Sequence, residues 1–145
     1  MKFTTKTEYG LVCLIYMARY IDRDAISIKE LAQQEQFSLP YLEKILQNLR
    51  AAGIVVAHHG KQGGYHLAKH PSQITLKDIV LALEGDTFEV YCEPDLRKEI
   101  VCTHFSLCGI RPVWAKIKLL LDDFFGTITL ETLSKHESAV KSLVA

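Results

Sequence analysis

Residues 27–68 constrain the fold more than any other stretch, because two short helical patterns there run straight into a hairpin pattern. Ser27-Ile28-Lys29-Glu30 has the form of a capping box, with Ser27 as N-cap and Glu30 at N3, and predicts a helix from Ile28 to about Glu35. Ser38 caps a second helix, Leu39 to about Ala52, which tolerates Pro40 because first-turn N–H groups have no intrahelical acceptor. Gly53 supplies a left-handed stop. Leu42, Ile45, Leu46 and Leu49 recur on one face of this helix, and Tyr41, Glu43, Lys44, Gln47, Asn48 and Arg50 occupy the other. A strand pattern (Ile54 to His59), a glycine-rich turn (Gly60-Lys61-Gln62-Gly63-Gly64) and a return strand (Tyr65 to Ala68) follow at once. Two helices three or four residues apart, the second polar on its outer face, and then a β-hairpin, outline a winged helix-turn-helix. In such a module the second helix enters the major groove of double-stranded DNA, and the hairpin lies along the backbone or minor groove.

The flanking segments fit a mainly α fold with this small β-hairpin wing. Residues 5–21 predict a helix with a wide apolar stripe: Tyr9, Val12, Ile15, Tyr16 and Arg19 near one face, with Leu11, Leu14, Ala18 and Ile21 beside them. Cys13 within the stripe reads as an inert core thiol. Glu8, in the first turn, is favoured there by the helix dipole without any ligand role. Asp22-Arg23-Asp24 is a polar turn. After the wing, Pro71 ends the hairpin. Thr75 and Asp78 then start a helix that Ile79, Val80, Leu81 and Leu83 pack and Gly85 stops. Arg111-Pro112 opens a long C-terminal helix with Pro at N1. Its stripe of Trp114, Ile117, Leu120, Leu121, Phe124 and Phe125 exceeds what a winged helix of this size can cover. It is therefore expected to be a dimerisation seam, with an intramolecular core as the alternative. Gly126 is expected to stop it, Thr129-Leu130-Glu131 to begin a last short helix, and Lys135 onward to be a loose tail. The chain divides into a DNA-binding unit (1–85), a cysteine loop (86–110), and a dimerisation helix with tail (111–145).

The loop holds three of the four cysteines, Cys92, Cys102 and Cys108. No apolar run reaches the ~18 residues of a membrane span, and the N-terminus lacks a signal peptide's apolar core, so a cytoplasmic protein is expected. In that compartment thiols stay reduced, and clustered cysteines more often bind metal or do redox work than form structural disulfides. Thiolates are soft donors that suit iron–sulphur clusters or zinc, while a thiol–disulfide switch and a site without cofactor stay open. His104 lies inside the loop as a spare ligand. The net charge of zero hides an asymmetry: residues 1–70 carry 9 Lys+Arg against 6 Asp+Glu, and residues 71–145 carry 8 against 11. That balance argues against bulk electrostatic binding of nucleic acid and leaves room for a local basic face, though surface scatter explains a swing of this size as well. An enzyme is not expected, since the chain has no P-loop, dinucleotide fingerprint or Cys-x-x-Cys, and no small-molecule substrate is implied.

Further motifs span nearly the whole chain: T-x-K-x-x-Y-G-L from Thr4, S-L-P-Y-L-E-K-I-L-x-x-L-R-x-A-G from Ser38, G-x-x-G-G-Y from Gly60, three cysteines after Glu84-Gly85, and I-T-L-E-T-L from Ile128. Together they resemble the IscR/NsrR-type family of winged-helix iron–sulphur transcriptional regulators. The NsrR branch is slightly the closer, through Thr7-Glu8-Tyr9-Gly10-Leu11 and Ile15-Tyr16-Met17-Ala18. The resemblance implies a homodimer, a repressor of a palindromic operator, and one cluster per subunit, [2Fe–2S] or [4Fe–4S], that senses redox state, nitric oxide or iron status. It implies Cys92, Cys102 and Cys108 as metal ligands, with Glu8 of the other subunit as the fourth. Arg111 stands where the IscR branch places a His ligand, and the Cys92-x9-Cys102 gap is longer than usual, which leaves the cluster type open. On the DNA side the expected contacts are Thr5 and Lys6 ahead of the first helix. The recognition helix would add Ser38, Pro40, Tyr41, Glu43, Lys44, Gln47 and Arg50, and the wing His59 and Lys61. Glu43 suits acceptance from cytosine N4, with a local surface contact to Gln47 or Lys44 as the alternative. His59 replaces a frequent Arg, a departure expected to weaken that contact or make it pH-sensitive. The rival reading is a cofactor-free, thiol-based redox regulator.

Overall fold

The computed structural model describes residues 2–90 and 107–145. The helix-turn-helix pattern becomes α2 (Ile28–Glu35) and α3 (Leu39–Ala51), preceded by α1 (Thr5–Arg19). α1 buries Thr7, Gly10, Cys13, Leu14, Met17 and Ala18, with Tyr9, Leu11, Ile15 and Tyr16 packed at the margin of the core. It ends at Arg19, two residues before the expected stop, and Ile21 is exposed. Ser27 caps α2 by accepting from the Glu30 N–H at 3.1 Å, but only half the capping box forms. The Glu30 carboxylate turns instead to the Tyr16 hydroxyl at 2.7 Å and to the Arg23 guanidinium at 2.5 and 2.8 Å, tying α1, the turn and α2 together. The Arg23 and Tyr16 donors hold Glu30 down at about 2, and the hydrogen bond to the Glu30 carboxylate, with burial, pushes the Tyr16 hydroxyl up to about 12.

The apolar face of α3 is the centre of the core: Leu42, Ile45, Leu46 and Leu49 are all fully buried. Fully burying one such side chain stabilises by roughly 1.5–3 kcal/mol. Gly53 takes the left-handed conformation, φ 74°, and turns the chain into the wing. The wing is β1 (Val55–His58) antiparallel to β2 (Gly64–Leu67), in the register Val55↔Leu67 to His58↔Gly64. Ile26 pairs with Tyr65 through two backbone hydrogen bonds, 2.9 and 2.8 Å, so the chain entering α2 lies against β2 and fastens the wing to the body.

A single 3-10 turn (Pro71–Gln73) leads to α4 (Leu76–Glu84), whose Thr75/Asp78 capping box is complete and whose end is Gly85 at φ 90°. Ile79, Val80 and Leu83 are buried as the pattern predicts, but Leu81 faces outward. α4 packs on α1, where Gly10 leaves the room that Leu83 fills: a Cβ there would lie 2.5 Å from Leu83 Cδ1.

The C-terminal part is α5 (Ile110–Thr127), α6 (Leu130–Leu133) and α7 (Glu137–Val144). Three details differ from the sequence reading. α5 starts at Ile110, so Pro112 sits at its third position, still within the turn whose N–H groups need no helical acceptor. Gly126 lies inside the helix rather than ending it. The tail beyond Lys135 is not loose but forms α7, which buries none of its residues and carries a Glu137–Lys141 ion pair one turn apart at 2.7 Å. Residues 128–130 return to the body. Leu76 N–H donates to Ile128 O and Leu130 N–H to Ile74 O, both at 2.8 Å, and Leu130 is buried in the same core as α3. Among the described residues no helix is long and apolar enough to cross a membrane.

Candidate nucleic-acid interface and cysteine site

The outward face of α3 is built by exclusion. Four buried apolar residues fix its rotation, and Glu43, Lys44, Gln47, Asn48 and Arg50 are left exposed on the opposite side. Pro40 is exposed in its first turn. Ser38 is the N-cap by backbone geometry, yet its hydroxyl makes no capping bond. Tyr41 is half-buried because its ring packs edge-on against Tyr9 at 5.5 Å, and Tyr9 in turn stacks on Phe37 at 3.8 Å. This aromatic trio, which joins α1 to α3 and to the turn between α2 and α3, was not singled out from sequence.

Thr5 and Tyr41 meet: their hydroxyl oxygens lie 2.9 Å apart, which joins the start of α1 to the start of α3. The expected contacts from two separate segments therefore form one surface, with Lys6 half-buried beside Thr5. His59 and Lys61 are exposed at the tip of the hairpin, outside its strands. The wing also carries a pair the sequence reading passed over. His58 and His66 rings lie 4.3 Å apart, and His66 Nδ1 is buried with no hydrogen-bond partner among the described residues. Burial and then the neighbouring His58 lower the His66 pKa, so His66 packs in its neutral form.

The start of α1 owes its position to Glu84, also missed. One oxygen, Oε1, accepts from the Thr4 N–H at 2.9 Å and from the Thr4 and Thr7 hydroxyls at 2.6 Å each. Burial works to raise the Glu84 pKa, but these three bonds with the Lys6 charge outweigh it and hold the carboxyl low. A carboxylate in the last turn of a helix opposes the dipole, and that conflict is the signal by which Glu84 was discoverable.

Of the expected cluster ligands, Cys92 and Cys102 lie outside the described residues, as does the spare His104. Cys108 is half-buried and immediately precedes Gly109, the N-cap of α5, where the helix dipole favours a negatively charged ligand. Glu8 is exposed in the first turn of α1, on the same side as Thr5. Among the described residues no three His, Cys, Asp or Glu side chains come together to hold a metal ion. The donor chemistry nevertheless suits an iron–sulphur group: soft thiols in one stretch, the last of them accessible beside a helix N-terminus. Cys13 is the contrasting thiol, fully buried, with its pKa pushed up to about 12 first by burial and then by the Glu35 charge, which makes it inert.

Comparison with known proteins agrees with this architecture. A family model, Rrf2, described as an iron-dependent transcriptional regulator, matches residues 3–136. The protein rrf2 of Nitratidesulfovibrio vulgaris is 33% identical over 138 residues, which cover 95% of this chain and 90% of the relative. The solved structure of CymR, described as the global cysteine regulator of B. subtilis, superimposes with a TM-score of 0.74 at 33% identity over 92% of this chain and 96% of CymR. That of T. potens IscR does so with a TM-score of 0.72 at 31% identity over 96% of this chain and 90% of IscR. The long helix–hairpin body, the exposed polar face of α3 and this match along nearly the full length have one meaning: the chain belongs to the Rrf2 family of DNA-binding, winged-helix transcriptional regulators.

Proposed function

We propose that the protein is a homodimeric repressor of a palindromic operator whose DNA affinity is set by an iron–sulphur cluster, one per subunit, in the cytoplasm. The observation that carries the reading is the pairing of two unsatisfied faces. The polar outer face of α3 continues through Thr5 and Tyr41; of the expected seam, Phe125 is buried and Trp114 packs on Phe88, but Leu120 and Phe124, with Ile110 and Val113 on the same face of α5, are exposed in a single chain. An apolar surface of that extent is covered in a stable soluble protein, and in a two-fold dimer each copy covers the other's. Two recognition helices related by that axis meet half-sites about 34 Å apart.

Within this reading Glu43 reads cytosine, Gln47 and Tyr41 reach base edges, and Lys6, Lys44, Arg50 and Lys61 contact phosphates. Thr5 and Ser38 donate hydroxyls to the backbone, Pro40 packs against it, and His59 lies at the wing tip towards the minor groove. Cys92, Cys102 and Cys108 hold the cluster, with Glu8 supplied across the dimer as a weak oxygen ligand, the arrangement of the NsrR branch. Bound there, the group supplies reactivity towards oxidants and nitric oxide and a need for iron. The iron-dependent description of the family model supports this cofactor. Cys108 then sits where a change in the cysteines acts directly on the N-terminus of α5.

The second reading, a cofactor-free thiol regulator, is favoured by one observation, the 33% identity to CymR, described as a cysteine regulator. Anaerobic purification separates the two. The first reading expects a brown protein with absorption between roughly 320 and 460 nm and matched iron and acid-labile sulphide, as iron–sulphur clusters give. Glu8→Ala should leave the cysteines loaded but make the colour more labile. A colourless protein that takes up no iron on reconstitution overturns the cluster and leaves the thiol reading.

A further inference from the structure

The chain that enters the cysteine stretch is locked onto the helix that leaves it. Thr87, three residues past the end of α4, is one of two buried polar residues among those described, at 2% exposed. Its hydroxyl donates to Asp122 Oδ1 on α5, and its N–H donates to Asp86 Oδ1 at 2.7 Å. The same Asp86 oxygen is ion-paired with Lys118 Nζ, which also donates to the Phe88 carbonyl oxygen at 3.3 Å. The Phe88 ring rests against Trp114, centroids 5.9 Å apart. Asp122 has a second partner, Lys77 on α4, at 3.4 Å. Burial works to raise the Asp86 pKa, and the Lys118 and Thr87 bonds outweigh it, so the carboxylate stays charged in the clamp. One turn of α5 thus grips both α4 and the segment that leaves α4.

The other end of the cysteine stretch is α5 itself, because Cys108 lies two residues before Ile110. From Ile110 to the Lys118–Asp122 turn is roughly 12–18 Å along the helix axis. Phe88 and Gly109, on either side of the cysteine stretch, are therefore both anchored on α5, and α4, the helix packed on α1 and α3, is fastened at the Lys118–Asp122 turn. Building on the function proposed above, we infer that Asp86, Thr87, Lys118 and Asp122 are positioning residues that convert the state of the cysteines into the angle of α5 against α4, and so into the spacing of the two recognition helices. A rearrangement near Cys108 pushes on a closed frame. With the clamp broken, the free segment from 86 to 90 absorbs it and α4 does not feel it.

The test uses the full-length protein and the duplex that wild type selects from a randomised library. DNA dissociation constants are measured for anaerobically prepared protein and for the same protein after hydrogen peroxide, and their ratio is the coupling. Wild type should give a ratio of at least about fivefold. Thr87→Val, which keeps the shape and removes the donor, should bring the ratio to within about twofold of one while DNA binding persists. Thr87→Ser, which keeps the hydroxyl, should restore it. Lys118→Gln, at a partly exposed position, should lower the ratio as well, so the inference stays testable if Thr87→Val folds poorly. A wild-type ratio retained by Thr87→Val and Lys118→Gln, with or without a lower Tm, shows a clamp that only stabilises and overturns the inference alone. A wild-type ratio of one overturns the sensor reading itself and this inference with it.

Discussion

Glu84 shows how a single side chain prepares the DNA-facing surface without belonging to it. The backbone of α1 begins at Thr4, which makes no capping bond of its own, and the Glu84 carboxylate does that work from the far end of α4. Glu84→Gln keeps the size and removes the charge that strengthens three hydrogen bonds. It should lower stability by about 1–2 kcal/mol at pH 7. The folded-state pKa of Glu84 lies below its ordinary value of 4.5, so its contribution is complete above that value and is lost as pH falls below it. Urea denaturation at pH 7 and pH 3.5 checks both points: the gap between wild type and variant should shrink in acid, and a constant gap contradicts the assignment. His66 has the opposite charge chemistry and the same direction. Its lowered pKa means that wing stability is full above about 6.5 and declines as pH falls below that value, where the unfolded chain takes up the proton first.

At the scale of elements, the wing depends on one close approach. Gly64 opens β2 opposite the chain that enters α2, and a Cβ there would lie 2.3 Å from the Ile26 carbonyl oxygen, a backbone atom that cannot swing aside. Gly64→Ala should therefore cost about 1–3 kcal/mol, by forced displacement of Ile26 from β2. Hydrogen exchange should show lost protection at the Ile26 and Tyr65 amides, which bond each other's carbonyls across this gap. Unchanged protection with unchanged Tm would mean that the wing is held some other way. The helix-turn-helix itself was legible because its burial is periodic: Leu42, Ile45, Leu46 and Leu49 mark one face of α3, and the polar residues fall opposite. α7 was not legible because none of its residues is buried, and it carries a local ion pair rather than a packed stripe. Gly126 misled for a related reason. A glycine favours a helix end by its freedom at positive φ, and at Gly126 the chain does not use that freedom.

For the whole molecule the exposed face of α5 is the proposed dimer seam. Leu120 is 55% exposed, so a charge placed there can stay in water in a single chain but would be buried across the proposed dimer seam. Leu120→Glu should raise the dimer dissociation constant by at least about tenfold while the monomer keeps its helix content. Sedimentation velocity against concentration measures it. DNA affinity should fall with dimerisation, since each half-site alone binds weakly. A Leu120→Glu protein that stays dimeric would place the interface elsewhere.

The sequence by itself determined the order of helices and strands from α1 to α6, the helix starts written in Ser27, Ser38 and Thr75, the buried face of α3 and the inertness of Cys13, because each is a local matter of period, cap or burial propensity. Only the tertiary structure decided that Glu84 serves Thr4 and Thr7 nearly eighty residues away, that Thr5 meets Tyr41, and that Thr87 is buried against Asp122. Each of these pairs a polar group with a partner that chain topology brings near, and spacing along the sequence carries no trace of distance across the fold.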